Sequence, residues 1–139
     1  MSLEAYSILK NGNTQLSEHF KVREFYCRDG SDPVFIDTEL VDILEKIRVH
    51  FGKPVTITSG YRTAAHNRSV GGAAYSQHLY GRAADIRVQG IPVEQLAAYA
   101  ETCLPGTGGI GTTIFYVVGG GLMVAAAILL ITKKRMENR

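Results

Sequence analysis

The chain has 139 residues, room for one domain of ordinary size, with 45% hydrophobic and 20% charged residues and a formal net charge of +2. The charge is uneven: residues 1–102 carry 11 Lys and Arg against 12 Asp and Glu, residues 103–139 four against one. The positive excess therefore belongs to the tail, which argues against a nucleic-acid-binding face on the body of the protein. Cys27 and Cys103 make neither a disulfide framework nor a paired zinc knuckle, and two buried thiols are expected.

Residues 1–16 are polar and turn-rich around Asn11-Gly12-Asn13, and read as a lead-in with room for one edge strand. The first residues lack the basic region and apolar run of a secretory signal. Residues 17–27 mix polar and aromatic side chains and suggest a short helix or turn. There His19 and Cys27 read as a satisfied polar group and a small hydrophobe rather than as ligands. Residues 39–51 predict a helix: Asp37 or Thr38 caps it, and Leu40, Ile43, Leu44, Ile47 and Phe51 fall on one face. Gly52 and Pro54 end it. His50 suits the carboxyl end of that helix electrostatically.

The β-branched run Val55-Thr56-Ile57-Thr58 predicts a strand. It leads into Ser59-Gly60-Tyr61-Arg62, which leaves a guanidinium just beyond the strand, placed to fork onto a carboxylate. A short polar helix is expected over 63–70, a second strand over 83–88 and a further helix over 93–102, with Pro92 near its first position. His78 then lies on the loop before the second strand and Asp85 on the strand. An imidazole and a carboxylate are ordinary zinc ligands, and a hydrolytic zinc takes three protein ligands with one open position.

The carboxyl end has a different character. No charged residue occurs from 103 to 132, and residues 114–132 form a 19-residue, largely apolar run followed by Lys133-Lys134-Arg135. At about 1.5 Å per residue a helix of that length nearly spans a hydrocarbon core of about 30 Å. The expectation is a single-pass transmembrane helix over 114–132, with the basic stop on the cytoplasmic side.

Two resemblances follow from these residues. Ser59-Gly60-Tyr61-Arg62-Thr63, His66-Asn67, Val70-Gly71-Gly72 and Ser76-Gln77-His78 leading to Gly81-Arg82-Ala83-Ala84-Asp85 resemble the zinc D-alanyl-D-alanine carboxypeptidase family, over about residues 15–111. The resemblance implies a small α+β domain with an antiparallel sheet, shared with the hedgehog signalling domain. It also implies zinc held by His78 and Asp85, and Arg62 and Ser76 at the substrate end, acting on peptidoglycan stem peptides. In that family a Gly-Gly-Ile-Gly stretch leads into a strand with a His-x-Asp-like motif, which gives the third zinc ligand and an acidic residue suited to general-base work. Here no His follows His78, and Glu137 is the one acidic residue beyond Glu101. The domain is therefore expected to be truncated, to bind zinc weakly or not at all, and to hydrolyse little. His19, His66 or a partner's residue would have to replace the missing ligand.

The second resemblance covers about residues 104–139. Leu104-Pro105-Gly106-Thr107-Gly108, the apolar run and the basic end are similar to the Leu-Pro-x-Thr-Gly sorting signal of Gram-positive surface proteins. It implies cleavage by a sortase between Thr107 and Gly108, and a place at the cell surface or wall if the chain is exported. The expected organisation is a lead-in over 1–16, a peptidase-like domain over 17–111, and a span with basic tail over 112–139, joined at a Gly-Gly-Ile-Gly stretch that both parts share. Loss of a core strand leaves a sheet edge open unless residues 114–118, which have strand propensity, refill it. The rival reading is a non-catalytic surface module that binds wall peptides.

Overall fold

The computed structural model describes residues 2–103, 111–118 and 121–128. Packing centres on helix α2 (Thr38–Phe51). Asp37 caps it by accepting from the Glu39 N–H at 2.8 Å, and Gly52, at φ +62°, ends it. Leu40, Ile43, Leu44 and Ile47 are all buried, as their spacing requires. Burying each such side chain is worth about 1.5–3 kcal/mol, so this face anchors the helix.

Strand β1 (Leu3–Ser7) pairs antiparallel with β2 (Pro33–Asp37) in a two-stranded sheet, Leu3 opposite Asp37 and Tyr6 opposite Val34. The one-turn helix α1 (Ile8–Asn11) follows β1, and a 3-10 turn over Val22–Phe25 buries Val22 and Phe25. The strand β2 is absent from the sequence reading. Val34 and Ile36 supply its inward face, but the segment is short and runs straight into α2.

The second sheet has four antiparallel strands in the order β3-β4-β6-β5. Strands β3 (Val55–Ser59) and β4 (Ala83–Val88) lie where the sequence places them, with Ile57 opposite Ile86 and, past an irregularity, Ser59 opposite Asp85. Helix α3 (Ala64–Ser69) and helix α4 (Val93–Thr102) also match their predicted segments. Leu96 and Ala100 of α4 join the core with Ile57, Ala84, Ile86 and the apolar face of α2. Tyr99 of α4 stacks on His50 of α2, ring centroids 3.6 Å apart, so His50 also works in helix–helix packing. Cys27 and Cys103 are free and buried.

The expected transmembrane helix over 114–132 is overturned. Residues Gly111–Val118 form strand β5 and Gly121–Ile128 form strand β6, and no helix among the described residues is long and apolar enough to cross a membrane. The physical reason lies in the open edge of β4. β6 fills it, pairing Ala84 with Val124 and Ile86 with Leu122, and so satisfies backbone groups and buries Leu122 and Val124 together. A long apolar run fits a buried strand pair as well as a span, because periodicity alone does not separate them. Residues 114–118 do form a strand, as their propensity suggests, but it lies in β5, which pairs with β6 and not with β4.

Candidate functional site

The stretch from Ser76 to Asp85 divides into a positioning part and a site part. Ser76 Oγ accepts from the His78 N–H at 3.3 Å and caps a 3-10 turn over Gln77–Tyr80. Gly81 then closes the turn at φ +70°, and a Cβ there would sit 2.2 Å from the Phe35 carbonyl oxygen, so both conformation and contact require glycine. Arg82 donates from Nε to Asp37 Oδ2 at 3.3 Å, pairing a carboxylate that is itself fully buried. Ala83 and Ala84 are buried in the sheet. These residues fix the turn against β2 and α2, and leave His78 and Asp85 facing each other.

His78 is 1% exposed, and its Nδ1 lies 2.7 Å from the Gly60 carbonyl oxygen. A carbonyl only accepts, so Nδ1 carries the hydrogen, and Nε2 of the neutral ring keeps its lone pair. That Nε2 lies 3.1 Å from Asp85 Oδ1. A lone pair facing a carboxylate oxygen is favourable only with a proton or a cation between them. An imidazole oriented by a backbone carbonyl is also the usual outer-shell arrangement of a metal-binding histidine. Gly60 owes its place to close approach: a Cβ there would lie 2.8 Å from Phe25 backbone atoms.

Arg62 borders the pair. Its Nε donates to Ser59 Oγ at 3.1 Å and its Nη1 to Asn67 Oδ1 at 3.2 Å, while Nη2 lies 3.5 Å from Asp85 Oδ2. Its own N–H donates to the His78 carbonyl at 3.0 Å, tying the turn after β3 to the turn before β4. Asn67 is 3% exposed and also donates from Nδ2 to the Ala73 carbonyl at 2.8 Å. The sequence reading named His66 of this pair as a candidate ligand, but Asn67 is the residue that holds Arg62. The signal available for it in the sequence was the His66-Asn67 pair of the family pattern.

The third side of the site is β6. Met123 stands opposite Asp85 and Ala125 opposite Ala83, so strand alternation puts both on the face of Asp85. Neither is a strong zinc ligand: alanine has no donor atom, and a thioether is soft and weak. His78 and Asp85 thus fit zinc as two members of a three-ligand set, and neither Met123 nor Ala125 of the facing strand adds a strong third. His19, one expected substitute, is engaged elsewhere, with Nδ1 2.5 Å from Glu45 Oε2. Cys27 Sγ accepts from the Thr63 N–H at 3.4 Å, and His66 sits half-buried on α3. Thr107 and Gly108 lie outside the described residues.

Glu18, His19 and Glu45 bring one ligand atom each within 4.8 Å of one another. Glu45 also accepts from Ser17 Oγ at 2.6 Å and from the His19 N–H at 2.9 Å, which makes it a clamp between this loop and α2. Burial pushes the Glu45 carboxyl up, but the hydrogen bonds from Ser17 and His19 outweigh it and hold the group below its usual range. Beside the main site, Gln77 Oε1 is buried with no hydrogen-bond partner among the described residues.

The fold and this site define a small α+β domain that presents a buried imidazole and a carboxylate beside an anchored arginine. The sequence pattern of peptidase M15 matches residues 18–117, and the chain belongs to that family. An LPXTG cell wall anchor motif matches residues 100–138, which points to the cell wall or surface. A zinc D-Ala-D-Ala carboxypeptidase of Streptomyces albus G is 50% identical over 34 residues, 24% of this chain. That stretch covers 13% of the relative, so the chain spans only a small part of it. No solved structure gives a significant match.

Proposed function

We propose that this chain is a peptidoglycan-directed, zinc D-Ala-D-Ala carboxypeptidase-like domain with an impaired metal site, carried with a cell-wall sorting tail. The observation that carries the reading is buried His78, its Nδ1 fixed by the Gly60 carbonyl and its Nε2 facing Asp85 Oδ1 at 3.1 Å, an approach that calls for a proton or a cation between them. His78 and Asp85 would hold the zinc, which when bound supplies polarisation of the scissile carbonyl and a water with its pKa lowered to roughly 7. Arg62, held by Ser59 and Asn67, would meet the terminal carboxylate of a stem peptide. Ser76 holds the turn that positions His78 at the substrate end.

The impairment follows from what faces the pair. Among the described residues no second carboxylate is a hydrogen-bond partner of His78, Asp85 or Arg62, which supports the reading that a general base is missing. Met123 and Ala125 supply no strong third ligand. Zinc content of the purified full chain and turnover of a peptide ending in D-Ala-D-Ala test the reading. Substoichiometric zinc and little turnover are expected; a full equivalent of tightly held zinc with rapid turnover refutes the impairment. The tail reading implies a sortase as partner, cutting between Thr107 and Gly108.

A second reading is a non-catalytic module that binds wall peptides. The Arg62 clamp favours it, because that clamp is built from Ser59 and Asn67 and needs no metal. Peptide binding that survives chelation and disappears in Arg62→Gln selects this alternative.

A further inference from the structure

We propose that attachment through the anchor motif and completion of the four-stranded sheet exclude each other in this chain. The inference rests on the sorting reading of residues 104–139 and adds its structural consequence. The peptidase M15 match ends at residue 117 and the anchor match begins at 100, so the two share residues 100–117. Both β5 and β6 lie beyond Gly108 in the chain. They are not an appendage: Leu122, Val124 and Ala125 are each at most 1% exposed, and Leu122 and Val124 belong to the same core as α2, β3 and β4.

The chemistry of sorting makes the conflict concrete. A transpeptidase thiol adds to the Thr107 carbonyl, the bond to the Gly108 nitrogen breaks, and that nitrogen leaves as an amine with the thiol proton. The thioester then passes the Thr107 acyl group to an amine of the wall peptide and regenerates the thiol. Residues 108–139 depart. With them go the strand paired to residues 83–86, the core side chains Leu122 and Val124, and the wall of the site opposite Asp85. β4 becomes an open edge. The wall-attached product is a different object from the folded chain, with His78 and Asp85 on an uncovered strand. Attachment therefore takes apart the sheet that borders the site rather than displaying it intact.

The test uses the full chain with a sortase specific for this motif and triglycine as acceptor. Mass spectrometry reads cleavage, and hydrogen exchange reads residues 83–88. Product separated from the released fragment should lose protection at residues 83–86 by on the order of a hundredfold. A native chain that resists a sortase able to cut a peptide of residues 100–112, and becomes cleavable in urea, equally supports exclusion. Cut product that keeps its β4 protection overturns the proposal, whether the fragment has left or stays bound. If the peptide itself is not cut, the sorting reading has failed, and Val124→Asp in the full chain tests the structural half alone. It should expose residues 83–86 as cleavage does, and unchanged protection rejects the claim.

Discussion

Met123 stands directly opposite Asp85 across the β4–β6 ladder. Facing residues of an antiparallel pair have Cβ atoms about 4.5–5.5 Å apart, so a ligand at 123 reaches a cation held by Asp85 and His78. The variant Met123→His supplies an imidazole nitrogen as third ligand and completes the set zinc requires. Zinc affinity, measured by competition with a chromogenic chelator, should rise by about tenfold or more. Ala125→His, on the same face but opposite Ala83, should gain less. Equal affinity in Met123→His and the parent chain would mean that β6 does not border the metal position.

Asn67 is the hinge of the arginine clamp. Asn67→Ala removes the acceptor for Arg62 Nη1 and the donor to the Ala73 carbonyl, in a residue only 3% exposed. Loss of buried, paired groups of this kind costs about 1–3 kcal/mol. A fall in thermal midpoint should accompany weaker binding of a peptide carboxylate, because Arg62 keeps only the hydrogen bond to Ser59 and the 3.5 Å ion pair with Asp85. Arg62→Lys tests the same clamp from the other end, since an ammonium cannot reproduce the forked contact to Ser59 and Asn67.

Gly81 carries two constraints that point the same way. Its φ of +70° disfavours any residue with a Cβ, and the Cβ would also meet the Phe35 carbonyl oxygen at 2.2 Å. Backbone strain of this type costs about 1–3 kcal/mol, and relief by moving Phe35 disturbs β2. Gly81→Ala should lower denaturant stability by about 2 kcal/mol or more. Gly90→Ala has a similar φ of +75° but open space around it, and isolates the strain from the clash.

The parts of the fold legible in the sequence are those set by local pattern. The apolar face of α2, the β-branched run of β3 and the proline at the start of α4 each carry their own signal. β2 carried little: two inward residues and a proline do not announce a strand until β1 lies beside them. The run now divided between β5 and β6 was misread for the opposite reason. It is apolar throughout, so it matches a span and a buried strand pair alike, and only the open edge of β4 decides. At the site, His78, Asp85 and Arg62 were singled out by residue type and by the family resemblance, and the structure brings the three side chains together. The Gly60 carbonyl that sets the His78 tautomer, and Arg82 turning inward to Asp37, depend on tertiary contacts that no spacing records.

Asp29 gives the fold a pH dependence that can be located. The Thr63 hydroxyl donates to its Oδ2 at 2.7 Å and the Ser31 N–H to its Oδ1 at 2.9 Å, and these bonds, the first above all, hold its carboxyl well below the usual range. A depressed carboxyl stabilises the fold fully above its unfolded value of about 3.9 and loses that contribution as pH falls toward the folded value. Thr63→Val removes the hydroxyl, so the Asp29 titration followed by NMR should move up toward the ordinary range. The stability of the variant should then fall less steeply with acid below about pH 4. Thr63 Oγ1 also accepts from the His66 N–H at 3.1 Å as the cap of α3, so the variant loses about 0.5–2 kcal/mol at every pH. Thr63→Ser keeps both bonds and separates the two effects: it should preserve the low Asp29 titration and the parent slope. A parent-like titration in Thr63→Val would move the cause of the depression to the Ser31 amide.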